Sequence, residues 1–469
     1  MNHSDPLVSA WEDTLRQRAR HTAIVDERGT AVRTFEEISA RAEQLRKRLS
    51  CFGPNAVIGV QIGNHPDWPS VLLACRRERL VVVPLDQSIT AQERGTALEF
   101  CCAAGLIEAG GPTAPGGESP DIRISSLNGK TPEWTGNPPA LLKLTSGTTG
   151  APRAVRFRSE QLIADCVQIC DTMDITGNDL NFAAVPISHS YGFSNLLTPL
   201  LVRGVPLALT NDRLPRAVFE NLNTSGATVF AGMPVFYQSL VAMYDRASLP
   251  RLRLCISAGA PLPPGLASRF NQRFGLTIHS FYGASECGGI CYDRQATVVE
   301  DGFVGQPMNG VRVEMIEPGG ASQIRVHSPA VGDGYFPEAN DNKLRPGVFT
   351  PDDLLVRSDL GYRVVGRVSD LINVAGKKVN PADIEAELLG IAGVREAVVF
   401  GRTSALRNQE VAACVVASAD VSELDLLKAC RRKLSGWQVP KRIFMLDALP
   451  VNERGKVSRR ELSAKFAND

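Results

Sequence analysis

Segments typical of strands alternate with segments typical of helices through the first two-thirds of the chain. Residues 34–49 carry apolar side chains at helical spacing, and residues 56–62 read as a short strand. Residues 71–75 then indicate part of a helix, and residues 80–84 form an apolar run of the kind found in buried strands. Because parallel strands need a crossover connection, this alternation predicts an α/β fold with parallel sheets.

The alternation is interrupted once and ends before the last third of the chain. Residues 105–139 are rich in Gly, Pro, Ser and Thr, which predicts an irregular surface connection. After this connection the alternation continues to about Tyr292. Residues 311–316 and 323–327 then read as strands without a helix between them, which predicts a small β-rich subdomain.

A smaller region with both helices and strands follows Gly366. Pro381 suits the first turn of an amphipathic helix, residues 397–400 and 411–417 read as strands, and residues 422–434 indicate another helix. A chain of 469 residues is too long for one ordinary core. We therefore predict two domains, which cover residues 1–366 and 367–469.

The composition excludes several classes of function. Hydrophobic residues make up 43% and charged residues 22% of the chain, which is typical of a globular protein. The 51 basic and 50 acidic residues leave a formal net charge of +1, so there is no charge surplus to hold nucleic acid or an anionic membrane. Residues 1–13 lack an apolar run, and no later segment suits a membrane span, so we expect a cytoplasmic protein without a signal peptide.

The cysteines and histidines form no recognisable metal-ligand pattern. Cys166 and Cys170 are four positions apart, as are Cys287 and Cys291, but no CxxC or nearby histidine completes a tetrahedral site. We expect reduced thiols in the protein interior and no structural metal.

The strongest local signal is a loop of hydroxyl groups and glycines after an apolar segment. Residues 140–144 are the apolar segment, residues 145–150 read Thr-Ser-Gly-Thr-Thr-Gly, and Arg153 follows. Glycines let backbone N–H groups turn inward and the hydroxyls add donors, so the loop can wrap a polyphosphate. The GxxxxGK[ST] pattern of a Walker A loop is absent. Taken alone, such a loop is more often a plain flexible turn than a binding site.

Two further groups of residues carry suitable chemistry. Tyr282, Ser285 and Glu286 combine a ring that can stack on a purine, a hydroxyl that can donate to a phosphate and a carboxylate that suits Mg²⁺. Lys456 follows Gly455 on a polar segment near the end of the chain. The simplest interpretation of a lysine taken alone is a solvated surface group.

In this order, the motifs resemble the adenylate-forming superfamily, which contains acyl- and aryl-CoA ligases, adenylation domains of peptide synthetases and firefly-type luciferases. The resemblance runs from residue 141 to Lys456. It implies a large N-terminal domain of two parallel-sheet α/β subdomains plus a β-barrel-like subdomain, followed by a small mobile α+β C-terminal domain. It also implies an enzyme that uses ATP to convert a carboxylic acid to an acyl-adenylate, releases pyrophosphate and transfers the acyl group to a thiol, which is taken to be coenzyme A.

The resemblance assigns the nucleotide to particular motif residues. The loop 145–150, called the phosphate loop below, would hold the β- and γ-phosphates. The turn 259–261 would lie against adenine opposite Tyr282. Asp352 would accept hydrogen bonds from the ribose hydroxyls. The number of residues between Asp352 and the Gly366-Arg367 pair favours Asp352 over its neighbour Asp353. The residues implied to bind ATP are Thr145, Ser146, Gly147, Thr148, Thr149, Gly150, Arg153, Gly259, Ala260, Pro261, Tyr282, Gly283, Ser285, Asp352 and Arg367.

The resemblance also assigns three catalytic residues. Lys456 would bridge the substrate carboxylate and the α-phosphate, Glu286 would hold Mg²⁺, and His189 would lie beside the acid pocket. Because the carboxylate and ATP are both anions, positive charge from Lys456, Arg153 and Mg²⁺ would offset their repulsion in the transition state. The C-terminal domain would turn about residues 367–370 to admit the thiol.

The acid itself is left open by the sequence. The aspartate that peptide-synthetase domains use to hold an amino group is missing from residues 186–192, which disfavours an α-amino acid. Several apolar residues indicate an aromatic or aliphatic acid, or else belong to the core. These are Tyr191, Phe193, Phe230, Met233 and Phe236.

The sequence departs from the family pattern, and two alternatives remain. Arg153 replaces the usual lysine, Pro351 stands where glycine is typical, and Ser369 occupies the hinge position where Asp or Lys is common. Arginine keeps the charge but presents it as a planar fork. These departures leave open a nucleotide-binding regulator without turnover. A different alternative passes the acyl group to the phosphopantetheine arm of a separate acyl carrier protein.

Overall fold

The chain divides into two compact units in the computed structural model. Unit 1 comprises residues 1–314, 325–351 and 358–363, and unit 2 comprises residues 315–324, 352–357 and 364–469. The structure describes residues 5–110, 121–145, 153–263, 265–296, 302–337, 342–374, 377–404, 408–450 and 457–466. The domain boundary at residue 366 stays a prediction.

The helices and strands are numbered along the chain. The helices are α1 (Pro6–Arg18), α2 (Phe35–Leu49), α3 (Trp68–Arg77), α4 (Ala91–Phe100), α5 (Ser159–Met173), α6 (Ser190–Gly192), α7 (Thr198–Arg203), α8 (Pro215–Ser225), α9 (Pro234–Met243), α10 (Leu266–Phe274), α11 (Pro381–Leu389), α12 (Glu423–Lys433) and α13 (Arg459–Lys465). The strands of the first half are β1 (Thr22–Val25), β2 (Ala31–Thr34), β3 (Val57–Gln61), β4 (Val81–Pro84), β5 (Ala103–Ala109), β6 (Ile122–Ser126), β7 (Leu141–Thr145), β8 (Arg153–Phe157), β9 (Asn181–Ala183), β10 (Leu207–Leu209), β11 (Val229–Gly232), β12 (Leu254–Ser257), β13 (Ile278–Ala284) and β14 (Gly288–Tyr292). The later strands are β15 (Phe303–Pro307), β16 (Arg312–Met315), β17 (Ser322–His327), β18 (Gly334–Phe336), β19 (Leu344–Arg345), β20 (Val348–Phe349), β21 (Asp353–Ser358), β22 (Gly361–Arg367), β23 (Ile372–Val374), β24 (Lys377–Val379), β25 (Val394–Ser404), β26 (Asn408–Ala417) and β27 (Arg442–Met445). A π-helical turn, Phe193–Leu197, joins α6 to α7.

Local sequence explains where the predicted helix at residues 34–49 begins. The Thr34 hydroxyl accepts the Glu37 N–H at 3.2 Å, and the Glu37 carboxylate accepts the Thr34 N–H at 2.7 Å. This reciprocal capping box satisfies two donors that the first turn would otherwise leave without partners. The buried face of α2 carries Ile38, Ala42 and Leu45, so the predicted amphipathic helix is confirmed.

The first sheet of unit 1 has the strand order β18-β8-β7-β4-β3-β5-β6. β5, β3, β4 and β7 run parallel, with antiparallel strands at both edges. The sequence predicts an irregular connection at 105–139, but residues 105–109 belong to β5 and residues 122–126 form the edge strand β6, so that prediction is wrong for these residues. β6 pairs with β5 through residues 122–126 and carries only one buried residue, Ile122.

The second sheet of unit 1 contains the larger parallel array. β1, β10, β9, β11, β12 and β13 run parallel in this order, and β2 pairs antiparallel with β1 at one edge. At the other edge β14, β15 and the first residues of β22 continue antiparallel. The two predicted parallel-sheet subdomains are therefore confirmed.

The β-rich part near residues 303–363 contributes antiparallel strands to unit 1. β20 pairs with β19 and with the end of β17. The strand pairing among the described residues closes no barrel, so the part predicted to be a β-barrel-like subdomain is instead an open group of short strands.

Unit 2 contains a small α+β fold with its own apolar interior. Its five-stranded sheet has the order β24-β23-β26-β25, with β27 parallel to β26. Buried residues of α11 and α12, among them Ile384, Leu388 and Leu426, pack with Val399 and Val415 of the sheet. The predicted small C-terminal domain fold is confirmed, and the predicted helix at 422–434 corresponds to α12.

All eleven cysteines are free thiols. Nine are buried, Cys102 is partly buried and Cys51 is exposed. Burial raises the pKa of the Cys287 thiol well above its usual value, because the thiolate would lose its hydration, so this residue packs rather than reacts.

No helix within the described ranges is long and apolar enough to cross a bilayer.

Candidate active site

The two ends of the predicted phosphate loop lie side by side in unit 1. β7 and β8 pair so that Thr145 lies opposite Arg153, and the Thr145 hydroxyl donates to the Arg153 carbonyl oxygen at 3.4 Å. β7 also runs parallel to β4, which fixes the hairpin within the first sheet. The predicted phosphate ligands that lie outside the described residues are Ser146, Gly147, Thr148, Thr149 and Gly150.

A tyrosine connects the end of this loop to the predicted metal ligand. The Tyr335 hydroxyl donates to Glu286 Oε1 at 3.1 Å, and Arg153 Cζ lies 5.3 Å from the centroid of the Tyr335 ring. The Gly332 N–H also donates to the Glu286 carbonyl oxygen at 2.9 Å. Both the main chain and the side chain of Glu286 are therefore held by the segment that contains β18.

A buried carboxylate holds the turn that carries Glu286. Asp165 of α5 is 4% exposed, and its Oδ1 accepts the Gly289 N–H at 3.1 Å. The neighbouring Gly288 has φ +69°, and a Cβ atom there would lie 2.0 Å from Asp165 Oδ1. Only glycine fits this position, since it needs both a left-handed backbone and close approach of the carboxylate.

A buried lysine lies near the same turn. Lys143 of β7 is 5% exposed, and its Nζ donates to Ser194 Oγ at 3.4 Å and lies 4.6 Å from the Phe157 ring centroid. Burial lowers the pKa of Lys143, while the charge of Asp165, followed by Cys287 and Glu286, opposes this shift. The Lys143 side chain therefore lies close enough to Asp165 and Glu286 for their charges to act on it.

His189 lies next to the Glu286 turn and pairs with a carboxylate. Its neighbour Ser190 donates to Ser285 Oγ at 3.0 Å, which joins the His189 segment to the turn. His189 Nε2 lies 2.9 Å from Asp86 Oδ2, and Ser88 donates to Asp86 through its N–H at 2.7 Å. The hydrogen bond with His189 holds the pKa of Asp86 well below its usual value, against the opposing effect of burial.

One asparagine fixes the chain segment that leads to His189. Asn64 is 6% exposed and follows β3, and its Nδ2 donates to the carbonyl oxygens of Ala183 at 2.7 Å and Val185 at 3.2 Å. Its Oδ1 accepts the Ile187 N–H at 2.9 Å. Asn64 thus joins the first sheet to the segment that leaves the second.

The aromatic residues that the sequence offers for the acid pocket divide into a pocket candidate and a core group. The Tyr191 ring is only partly buried, and its centroid lies 5.9 Å from that of Phe281. Phe193, Phe230 and Phe236 are buried at 1%, 0% and 6% exposed, which assigns them to the core. Burial of the phenol raises the pKa of Tyr191, so it stays protonated at neutral pH.

The predicted adenine-binding residues follow adjacent parallel strands. Ser257 of β12 pairs in register with Ser280 of β13, so Gly259 and Tyr282 each lie two residues beyond this pair. Gly259 has φ +84°, and the turn 259–261 is exposed, as is Gly283. The carboxyl ends of parallel strands are where α/β sheets bind ligands. Ala260 and Pro261 follow Gly259 in the same turn beyond the carboxyl end of β12.

The predicted ribose ligands lie in unit 2. Arg367 Nε donates to Asp353 Oδ1 at 2.7 Å, and the Val368 N–H donates to the Asp352 carbonyl oxygen at 2.7 Å. Asp353 is 8% exposed, whereas Asp352 is only partly buried. The sequence favours Asp352 over Asp353 as the ribose acceptor, and the pairing of Asp353 with Arg367 agrees with that choice. The ribose assignment itself stays a prediction.

Lys456, the predicted catalytic lysine, lies outside the described residues. Shortly after it, Arg459 of α13 pairs with Asp370 at 2.8 Å and with Glu385 at 2.8 Å within unit 2. These bonds anchor the helix that follows the lysine-bearing segment. The role of Lys456 stays a prediction.

The predicted residues of unit 1 fall into two groups. Contacts through Tyr335 and Ser190 bring together Thr145, Arg153, Ser285, Glu286 and His189. The second group comprises Gly259, Ala260, Pro261, Tyr282 and Gly283, at or beyond the carboxyl ends of β12 and β13.

Three residues of this region were missed by the sequence analysis, namely Asp86, Lys143 and Tyr335. Asp86 had a usable signal, because it lies two residues beyond the carboxyl end of the apolar parallel strand β4, where α/β sheets commonly bind ligands. Lys143 and Tyr335 had no such signal, since their partners are distant in the sequence; Tyr335 and Glu286 are 49 positions apart.

The residues present fit a Mg²⁺ ion that is shared with phosphate oxygens. Glu286 offers a partly exposed carboxylate, the hard oxygen ligand that Mg²⁺ prefers. Within the described ranges, no group of three or more His, Cys, Asp or Glu side chains could form a dedicated metal cage. Mg²⁺ is commonly held in proteins by one or two carboxylates plus substrate phosphates, and a single glutamate near a phosphate loop suits that arrangement.

Comparison with known proteins agrees with this arrangement. The AMP-binding enzyme family matches residues 11–336, and the AMP-binding enzyme C-terminal domain matches residues 383–456. Crystal structures of ATP-bound MatB from Rhodopseudomonas palustris and of o-succinylbenzoate CoA synthetase from Bacillus subtilis with its acyl-adenylate have similar folds. The first is 23% identical with a TM-score of 0.84 and covers 98% of this chain and 99% of that one. The second is 22% identical with a TM-score of 0.81 and covers 97% of each chain.

The sequence relatives extend over almost the whole chain. A feruloyl-CoA synthase of Amycolatopsis sp is 30% identical over an alignment of 498 positions, which covers 98% of this chain and 99% of the relative. A family match to more than half of the chain, together with this full-length relative, decides the family. The chain therefore belongs to the adenylate-forming superfamily, as its motifs predict, and it is an AMP-forming acid–thiol ligase of the acyl-CoA synthetase type.

Proposed function

We propose that this chain activates an aromatic carboxylic acid with ATP and transfers the acyl group to coenzyme A. The observation that carries the proposal is the Arg153–Tyr335–Glu286 cluster, which joins a cation at the end of the phosphate loop to a carboxylate suited to Mg²⁺. Ser285 and His189 lie beside this cluster. The cytoplasmic location expected from the sequence stays a prediction.

In this proposal each part of the nucleotide is bound by the residues that the family motifs assign to it. The loop 145–150 and Arg153 bind the β- and γ-phosphates, the turn 259–261 and Tyr282 flank adenine, and Gly283 and Ser285 complete the site. Asp352 accepts the ribose hydroxyls with Arg367 beside it. The proximity of Thr145 to Arg153 supports this assignment, because both ends of the loop can then face one polyphosphate.

The first chemical step joins two anions. A carboxylate oxygen of the acid forms a bond to the α-phosphorus of ATP while the bond to the bridging oxygen breaks, which releases pyrophosphate and leaves the acyl-adenylate. Lys456 and Arg153 reduce the repulsion between the reactants and stabilise the negative charge of the transition state. Mg²⁺ at Glu286 would add a further positive charge at the phosphates.

The second step transfers the acyl group to a thiol. The thiolate attacks the acyl carbonyl carbon and AMP leaves with the bonding electrons. Following the sequence prediction, the residues beyond 367 turn about the segment 367–370 between the two steps, so that Lys456 leaves and the thiol enters.

An aromatic acid is the substrate class that the pocket residues favour. Tyr191 lies two residues beyond His189 and is partly buried, and its ring packs against the buried ring of Phe281. Aromatic rings in this arrangement offer an apolar face to a planar acid. The relative that covers almost the whole chain is a feruloyl-CoA synthase. We propose hydroxycinnamic acids as the first compounds to test.

A pyrophosphate-release assay with ferulate, benzoate, malonate and octanoate tests the first step. We expect release with an aryl acid, and Lys456→Ala should lower the rate by about two to three orders of magnitude, the scale measured for loss of one transition-state stabilising group. Release with only malonate or octanoate would refute the aromatic class. ATP binding without release for any acid would favour the regulator alternative.

The acceptor is tested in a separate assay. The preformed acyl-adenylate complex is offered free coenzyme A or a phosphopantetheinylated carrier protein, and thioester formation is measured. We expect transfer to coenzyme A. Transfer to the carrier protein alone would establish the alternative of loading in trans.

A further inference from the structure

Tyr335 contacts two residues of the proposed nucleotide site at once. Its hydroxyl donates to Glu286 Oε1 at 3.1 Å, and its ring lies 5.3 Å from Arg153 Cζ. The side chain is 8% exposed. A buried phenol with a carboxylate at its hydroxyl and a guanidinium over its ring fixes the separation of two opposite charges.

The strand that carries Tyr335 is itself held firmly. β18 pairs antiparallel with β8, the strand that begins at Arg153. The Asp333 N–H donates to the Arg156 carbonyl oxygen at 2.9 Å, and the Asp333 carboxylate accepts from Arg158 Nε at 2.7 Å and from Gln161 Nε2 at 2.8 Å. These bonds come from β8, from α5 and from Arg158 between them, so Tyr335 is fixed to the strand that follows the loop 145–150.

The two contacts differ in what they act on. The hydroxyl orients the Glu286 carboxylate, and a hydrogen bond to a charged group is among the stronger ones in proteins. The ring attracts the Arg153 guanidinium through its negative face and limits the rotamers of a long side chain. The hydroxyl contact should affect ATP binding only when a divalent ion is bound at Glu286. The ring contact should affect the binding of the ATP phosphates to Arg153 with or without that ion.

We propose that Tyr335 is a positioning residue for MgATP, which sets the Glu286 carboxylate through its hydroxyl and the Arg153 guanidinium through its ring. This inference rests on the proposed function, since it takes ATP as the ligand of these residues. It adds a residue to which the sequence analysis assigned no role.

Calorimetric titration of the full-length protein with ATP tests the proposal, with Mg²⁺ or with EDTA present. Tyr335→Phe removes only the hydroxyl and should weaken MgATP binding by about tenfold while leaving metal-free ATP binding unchanged. Tyr335→Leu also removes the ring and should weaken metal-free binding by about three- to tenfold. In an Arg153→Ala background, Tyr335→Phe and Tyr335→Leu should bind metal-free ATP equally.

Tyr362→Phe is the matched control. Tyr362 is 4% exposed and its hydroxyl donates to the Val313 carbonyl oxygen at 3.4 Å, outside the proposed site, so this variant should bind MgATP like the wild type. If Tyr335→Phe binds MgATP as tightly as the wild type, the positioning role is refuted while the proposed function stands. If the wild type itself binds no ATP, both are refuted.

Discussion

The Asp86–His189 pair shows how one carboxylate can set the orientation of an exposed imidazole. His189 is 57% exposed and Asp86 only 14%, so the carboxylate is the fixed partner. Asp86 is held in turn by Ser88, and the Gln61 Nε2 donates to the Asp86 carbonyl oxygen at 2.8 Å. A carboxylate that accepts one imidazole N–H fixes both the ring plane and the tautomer, as is seen for many functional histidines.

We predict that Asp86→Asn lowers kcat/KM for the acid by about five- to tenfold and leaves the KM for ATP unchanged. The amide still accepts a hydrogen bond but lacks the charge, and charge-assisted bonds are about twice as strong as neutral ones. Steady-state kinetics measure both constants. In a His189→Ala background the same substitution should have no further effect, and an equal loss in both backgrounds would contradict the pairing.

Lys143 gives a second prediction at the residue scale, which concerns pH. Because burial lowers the pKa of Lys143 in the folded state, the unfolded chain binds more protons between this lowered pKa and the ordinary value of about 10.4. The free energy of unfolding therefore rises with pH across this window. In Lys143→Met the contribution is absent, so the difference, wild type minus variant, should increase as pH rises.

Chemical denaturation of both proteins between about pH 7 and pH 10 measures this difference. Lys441→Met removes an exposed lysine and serves as the control for the loss of a lysine side chain at the surface. A constant difference for Lys143→Met would show that Lys143 titrates normally.

Among the elements of unit 1, the Asn64 side chain links the two sheets near the segment that leads to His189. Asn64 spans from the end of β3 to the segment after β9 and satisfies one N–H and two carbonyl groups there. Irregular segments need such partners, because buried backbone groups without hydrogen bonds are costly.

We predict that Asn64→Ala lowers the free energy of unfolding by about 2–4 kcal/mol, because several buried backbone groups lose their partner together. It should also reduce activity through displacement of the His189 segment. Denaturant unfolding and the pyrophosphate assay measure the two effects. The control Asn221→Ala removes a partly exposed amide that donates to Thr210 Oγ1, and it should cost less than about 1 kcal/mol. Equal costs would contradict the special role of Asn64.

The elements also show which parts of the fold could be predicted from sequence. Residues 34–49 combine helical periodicity with a Thr–Glu capping box, so local pattern and structure agree. β6 was missed because Ile122 is its only buried residue and its pairing with β5 is not visible in local sequence. The phosphate-loop and Glu286 motifs are contiguous and were identified. Asp86 and Tyr335 act through partners far along the chain, and only the fold brings those partners near.

For the whole molecule, the main feature is that each unit has its own apolar interior. Unit 2 buries residues such as Ile384, Leu388 and Leu426 among its own strands. Unit 1 buries a separate set, which includes Val57, Val81 and Leu142 in its first sheet. Compact regions with separate cores commonly unfold as separate cooperative units.

We predict two thermal transitions in calorimetry, each assignable with one core substitution. Ile384→Ala should cost about 2–5 kcal/mol and lower only the transition of unit 2. Leu222→Ala removes a residue of unit 1 that is 2% exposed and should lower only the other transition. A single transition that moves with both substitutions would show that the two units unfold together.

The distribution of cysteines allows the native protein to be labelled at one chosen position. Cys51 alone has an exposed sulfur-bearing side chain, and Cys102 is partly covered, while the other nine are enclosed. A maleimide dye applied briefly to the native protein should therefore attach chiefly at Cys51, without prior mutagenesis. Mass spectrometry after proteolysis would verify where the dye resides.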